Sequence, residues 1–126
     1  MKALIFELDG RRWALGVDSV RQVSRAVRLD PPPPGDELHE GVVVLHGEPV
    51  PVLDLRKRLG LAPAKLSPDE HLVFAEGPEG LLAFRVDRAL GVAELGAPRG
   101  EGDLPYAPDA QSGEAFRLLR SLGALL

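Results

Sequence analysis

Gly41–Leu61, GVVVLHGEPVPVLDLRKRLGL, is the stretch from which the rest of the chain is read. Val42 to Leu45 form an apolar run that reads as a strand buried on both faces. His46-Gly47-Glu48 then supplies a glycine for a tight reversal. Val50, Val52, Leu53 and Leu55 continue as a second strand that contains Pro49 and Pro51. Proline has no N–H for a ladder, so this strand is expected at an edge, a bulge or a bend. Asp54 is placed to cap a short basic turn, Leu55 to Leu59, which Gly60 can end in a left-handed conformation.

The 126 residues suit one domain, or two small subdomains sharing a core. Fifteen Lys and Arg against 19 Asp and Glu leave a net charge of −4, and aromatics make up 5%. Such a chain lacks the basic, aromatic footprint of a nucleic-acid or anionic-membrane binder. With no cysteine, disulfides, thiolate nucleophiles and Cys-ligated zinc are excluded. No basic leader precedes an apolar segment and no apolar run approaches a membrane span, so a cytoplasmic protein is expected. Asn and Thr are absent and Gln nearly so, which hints at a thermophile.

Elsewhere, Leu4–Leu8 is a strand candidate, Asp9-Gly10 a strong hairpin signal, and Trp13 to Leu15 the return strand. Val20, Val23 and Val27, at spacings of three and four, fit an amphipathic helix capped by Asp18 or Ser19. Pro31 to Pro34 can be a partner-binding proline ligand, but a rigid spacer is the preferred reading. The best linker is 62–70, and it marks an approximate subdomain break. Residues 96–113 read as a long loop that Leu104 and Tyr106 would pin to the core. At the C-terminus, Ala115, Leu118, Leu119, Leu122 and Leu126 form a helical stripe, although Phe116 and Leu118 also alternate as in a strand.

Two segments repeat each other, LIFELDGRRWALGVDSVRQV at 4–23 and LVFAEGPEGLLAFRVDRALGV at 72–92. Leu4 matches Leu72 at an offset of 68, and Val17-Asp18 matches Val86-Asp87 at 69. One extra residue in the second hairpin accounts for the change. The shared order of strand, hairpin, strand and Asp-led turn implies an internal duplication.

No catalytic constellation emerges. None of the five serines lies in a nucleophile elbow, no glycine-rich phosphate loop is present, and the three histidines have no metal-ligand spacing. Asp54 reads as a cap rather than a catalyst, and its replacement by Ala should cost about 1 kcal/mol. Asp18 and Asp87 fit the same capping role. Arg56, Lys57 and Arg58 form a basic knob, either solvated or suited to an acidic partner. No cofactor or metal is expected.

Three blocks in order resemble the CheW-like domain of chemotaxis coupling proteins. They are FELDGRRWALGVDSVRQV, GVVVLHGEPVPVLDLRKRLGL and GLLAFRVDRALGV. The resemblance implies a mainly β fold of two five-stranded, SH3-like β-barrel subdomains sharing a core, with short helices. It also implies a strand near Phe116–Leu119 and a short final helix. The implied function is a non-enzymatic adaptor. It would bridge the cytoplasmic tip of a chemoreceptor to the regulatory domain of a CheA-type histidine kinase, recruited to receptor arrays at the inner face of the membrane. The matched segments nominate Val20, Gln22, Val23, His46, Gly47, Val52, Asp54 and Arg56 as partner contacts, although spacing alone assigns Val20 and Val23 to the core and leaves Arg56 the preferred contact. The sequence departs from the family in three places. His46 replaces the favoured arginine, which points to weaker or pH-dependent contacts. Gln22 stands where an acidic residue is usual, and Leu119-Arg120 replaces a Leu-Asp pair. These departures leave room for an incomplete second barrel or for a divergent relative serving another chemosensory system, such as one controlling pili. A different class, a small β-barrel binding oligonucleotide or another ligand, would need a basic or aromatic groove.

Overall fold

Asp9-Gly10 and His46-Gly47 each take positive φ at two successive residues, 56° and 74° in the first pair and 51° and 81° in the second. That is the type I′ hairpin conformation, whose twist matches that of the flanking strands. The computed structural model describes residues 1–100, 105–119 and 122. Its elements are β1 (Lys2–Leu8), β2 (Arg11–Gly16), a 3-10 turn at Val17–Ser19, β3 (Val20–Arg25), β4 (His39–Leu45) and β5 (Glu48–Leu53). There follow α1 (Leu55–Arg58), β6 (His71–Gly77), β7 (Gly80–Val86), β8 (Arg88–Glu94), β9 (Tyr106–Pro108) and β10 (Ala115–Leu119).

The strands form two five-stranded sheets, ordered β8-β1-β2-β10-β9 and β3-β6-β7-β5-β4. The mainly β expectation holds, but neither sheet closes into a barrel. β8 and β9 are the edges of the first, and β3 and β4 the edges of the second. The first sheet has all five strands, so it is not incomplete. No helix among the described residues is long and apolar enough to cross a membrane.

The duplication is sharper in three dimensions than in the sequence. Leu4 pairs with Leu15 as Val73 pairs with Phe84, and Phe6 with Trp13 as Ala75 with Leu82, a uniform offset of 69. The offset of 68 for the first strand is therefore corrected. Both hairpins have two-residue turns, the second being Pro78-Glu79 between the paired Gly77 and Gly80. The third strand of each repeat crosses to the other sheet, β8 to β1 and β3 to β6. Leu4 opposite Val92 is answered by Val73 opposite Val23. Both third strands carry a bulge at the same step, where Leu90 in one and Arg21 in the other are passed over. The isolated bridge Asp30–Val42 likewise has its counterpart in Arg99–Tyr106.

That bulge explains the helical spacing of Val20, Val23 and Val27, which form no helix. An extra residue turns the strand period of two into a spacing of three. Val20 and Val23 therefore oppose Ala75 and Val73, which share one face of β6. The residues are β-branched, and the open edge of β6 offers a ladder that an isolated short helix could not match.

Val42–Leu45 is corrected in a similar way. β4 is an edge strand whose residues alternate, so that Val43 is buried while Val44 is 60% exposed. β5, expected at an edge, a bulge or a bend, lies second from the edge, and its ladder with β4 shifts register between His39 and Gly41. Pro49 and Pro51 stand opposite Val44 and Val42, the positions of a two-residue hairpin that exchange no ladder bonds. Their missing N–H groups thus face β7, and β5 pairs with β7 only at Val52 and Leu53. Leu55 begins α1 rather than ending the strand. Gly41 permits a close crossing, because a Cβ there would stand 2.6 Å from the carbonyl oxygen of Asp30.

Among the described residues, three apolar clusters hold the sheets together. Ile5, Phe116 and Leu118 belong to one on the first sheet, and Val50, Val52 and Phe74 to one on the second. Phe6, Leu15, Leu53, Val73 and Phe84 form the central core that both sheets share. Trp13 lies in this core, as expected, and its Nε1 donates to the carbonyl of Leu8. β10 confirms the C-terminal strand. Of the proposed final helix only Leu122 is among the described residues, buried in the central core. Leu104 lies outside them, and Tyr106 does not pin the loop inward. It is 45% exposed, with the Arg117 guanidinium 4.5 Å from its ring centroid.

Candidate functional site

β3 gives the second sheet a free edge, held on its inner side by the ladder to β6. Gln22 and Val23 are exposed there, Val23 at 37%, while Val20 packs against the central core. His46 and Gly47 form the exposed tip of the β4–β5 hairpin at the other edge of the same sheet. The nominated residues thus divide into two exposed groups on one sheet.

The remaining three nominations serve the interior. Val52 is fully buried and offers a partner no surface, which corrects its nomination as a contact. Asp54 caps α1, accepting from the backbone N–H of Lys57 at 3.1 Å. At the other end, Gly60 N–H donates to the Lys57 carbonyl and Leu61 N–H to that of Arg56, a Schellman closure.

Arg56 is the larger surprise. Its side chain is 13% exposed, and its guanidinium donates to Asp87 at 2.7 Å, the Ala62 carbonyl at 3.1 Å and Asp9 at 3.5 Å. Asp9 sits in a hairpin of the first sheet, and Asp87 where the chain leaves the second sheet for the first. Arg56 therefore ties the two sheets to α1, so Arg56→Glu would disturb the fold before reporting on any partner. Asp87 is not a cap either. Its carboxylate holds Arg56 and also accepts the Asp9 N–H at 2.8 Å. The 3-10 turn has no side-chain cap from Asp18. Lys57 donates to the Glu37 carbonyl, so the expected basic knob is partly committed to the chain itself.

A second ionic cluster was not legible in the sequence. Arg85, on β7, binds the Glu40 carboxylate, the Glu70 carboxylate at 2.9 Å and the Ala64 carbonyl at 3.1 Å. Burial pushes its pKa down, but the hydrogen bonds and charges of Glu40 and then Glu70 outweigh this and leave it raised. Partners 45, 15 and 21 residues away leave no local signal.

Two loops depend on charged carboxylates. Asp36 accepts the N–H groups of His39 and Leu38, and its other oxygen meets His39 Nδ1 at 2.9 Å. The backbone bond to His39, then its side chain, lowers the pKa of Asp36. Asp109 is lowered in the same way by the N–H groups of Ser112 and Gln111. A depressed folded-state pKa stabilises the fold above the ordinary carboxylate range, and that contribution disappears as pH falls through it. The amides of Leu38, His39, Gln111 and Ser112 are expected to lose exchange protection below about pH 4, beyond the intrinsic pH dependence of exchange, and to keep it at higher pH. Hydrogen exchange across that range checks this.

The model of the CheW-like domain family matches residues 2–100. The chain is 30% identical to the chemotaxis protein CheW of Thermotoga maritima, over 99% of this chain and 81% of that protein. It is 25% identical to the chemotaxis protein CheW of Bacillus subtilis, over 86% of this chain and 67% of that one. In structure it is similar to the scaffolding protein TtCheW of Thermoanaerobacter tengcongensis, with a TM-score of 0.82 and 22% identity. That likeness covers 98% of this chain and 90% of the other, and it supports the shared fold.

Proposed function

The chain belongs to the CheW-like domain family and is a chemotaxis adaptor rather than an enzyme, and from that premise we propose where it docks its partners. The partners are the regulatory domain of a CheA-type histidine kinase and the cytoplasmic tip of a chemoreceptor. The adaptor works in the cytoplasm, recruited to receptor arrays at the inner face of the membrane. The docking surfaces are the β3 edge at Gln22 and Val23 and the hairpin tip at His46-Gly47. Val20 and Val52 support them from beneath, while Asp54 and Arg56 position α1.

The observation that carries this reading is the β3 edge, an exposed strand with a free side and a rigid ladder behind it. Partner strands and apolar anchors add to such edges without reorganising them. Calorimetric titration against the kinase regulatory domain tests it. Wild-type chain is expected to bind with micromolar or tighter affinity, and Gln22→Lys with Val23→Glu to weaken binding at least about tenfold with the melting temperature unchanged. Unchanged affinity in the folded double variant would remove the β3 edge from the account. Comparing affinity at about pH 6 and about pH 8 reads the contribution of His46. Equal affinity at both would assign His46 no titrating contact.

A further inference from the structure

His71 stands where three strands meet. It pairs with Arg25 at the end of β3 and with Val86 of β7, and its Nδ1 accepts the N–H of Ala89 on β8 at 3.1 Å. An accepting Nδ1 places the ring proton on Nε2, which has no hydrogen-bond partner among the described residues. Arg25 and Arg88 line the same cleft of about 280 Å³. Neither guanidinium makes an ion pair or hydrogen bond with a described residue, although Arg12, Arg21, Arg56 and Arg85 all hold carboxylates.

Two acidic residues also border this cleft. Both carboxylate oxygens of Glu70 are taken by Arg85, at 3.2 and 2.9 Å. Asp69 is therefore the one lining carboxylate that no arginine holds, and it stands against two arginines that hold none. The internal duplication sharpens the contrast. At the offset of 69, Arg25 corresponds to Glu94, whose carboxylate binds the N-terminal ammonium at 3.1 Å. Glu94 is thus ion-paired within the chain, whereas Arg25 holds no carboxylate among the described residues.

We propose that the Arg25–His71–Arg88 cleft is an oxyanion site that takes a phosphate group. Two guanidinium forks and an imidazole N–H supply donors from three strands, which suits a tetrahedral anion. The group comes either as free inorganic phosphate or as the phosphoryl side chain of a bound protein. The site does not depend on the docking surfaces above, and its test needs no kinase or receptor.

The test is an amide-shift titration of the ¹⁵N-labelled full chain with inorganic phosphate, at ionic strength held constant with chloride. Saturable shifts are expected at Arg25, His71, Arg88 and Ala89, with a dissociation constant in the millimolar range or tighter. Arg25→Gln with Arg88→Gln should weaken binding at least about tenfold at an unchanged melting temperature. Arg11→Gln, outside the cleft, should leave it intact. A parallel titration with N-acetyl-phosphoserine amide assigns the source. Tighter binding than phosphate indicates a partner's phosphoryl side chain, and equal or weaker binding the free ion. Shifts that do not saturate, or that persist undiminished in the folded double variant, overturn the proposal.

Discussion

Phe84→Ala is expected to lower the folding free energy by about 3–5 kcal/mol, the loss typical of a buried phenylalanine that leaves a cavity. Phe84 is fully buried on β7, between β5 and β6, and its ring lies 5.8 Å from that of Phe6 at 55°. Phe6 belongs to the first sheet and Phe84 to the second, so this contact crosses the core the two repeats share. Collapse around the cavity would require the sheets to shift against each other. The strand exchange of β3 and β8 resists that movement. Val44→Ala is the control, being 60% exposed on an edge strand, and should change stability by no more than about 0.5 kcal/mol. Urea unfolding of both variants measures the difference. A loss below about 1 kcal/mol for Phe84→Ala would mean that each sheet is held by its own cluster instead.

Arg85→Ala should be almost as damaging, by about 3–5 kcal/mol, because it strands two carboxylates without a counter-charge. The side chains of Glu40 and Glu70 are only 17% and 7% exposed. The Ala64 carbonyl also loses its donor, which releases the 62–70 segment from β7. Adding Glu40→Gln and Glu70→Gln should recover much of the loss, since neutral amides tolerate burial where bare carboxylates do not. If the triple variant is no more stable than Arg85→Ala alone, lost packing of the arginine stem is the cause.

What the sequence disclosed follows the range of the interactions. Asp9-Gly10, His46-Gly47, the Asp54 cap and the closure at Gly60 are local, and all appear where residue chemistry placed them. The repeat was visible in apolar order, but its alignment was not. An apolar match such as Leu4 with Leu72 can slip by one residue and still look apolar, and only strand pairing fixes the uniform offset. β3 misled because its bulge at Arg21 imitates helical spacing. The family resemblance, rather than periodicity, identified β10 as a strand.

The candidate site was legible only in part. Gln22, Val23, His46 and Gly47 are exposed, a condition that the contacts we propose for them require. Arg56 looked like a surface charge because its partners, Asp9 and Asp87, lie 47 and 31 residues away. The subdomain break we propose at 62–70 falls in a segment without strands, tied to β7 by Arg85.

Coupling of a kinase to a receptor is read by co-sedimentation. Membranes carrying a chemoreceptor are mixed with a CheA-type kinase, with and without this chain, and the pelleted kinase is measured. Kinase is expected to pellet with the receptor when the chain is present, and far less when it is absent or carries Gln22→Lys with Val23→Glu. Kinase in the pellet to the same extent without the chain would contradict coupling by this chain.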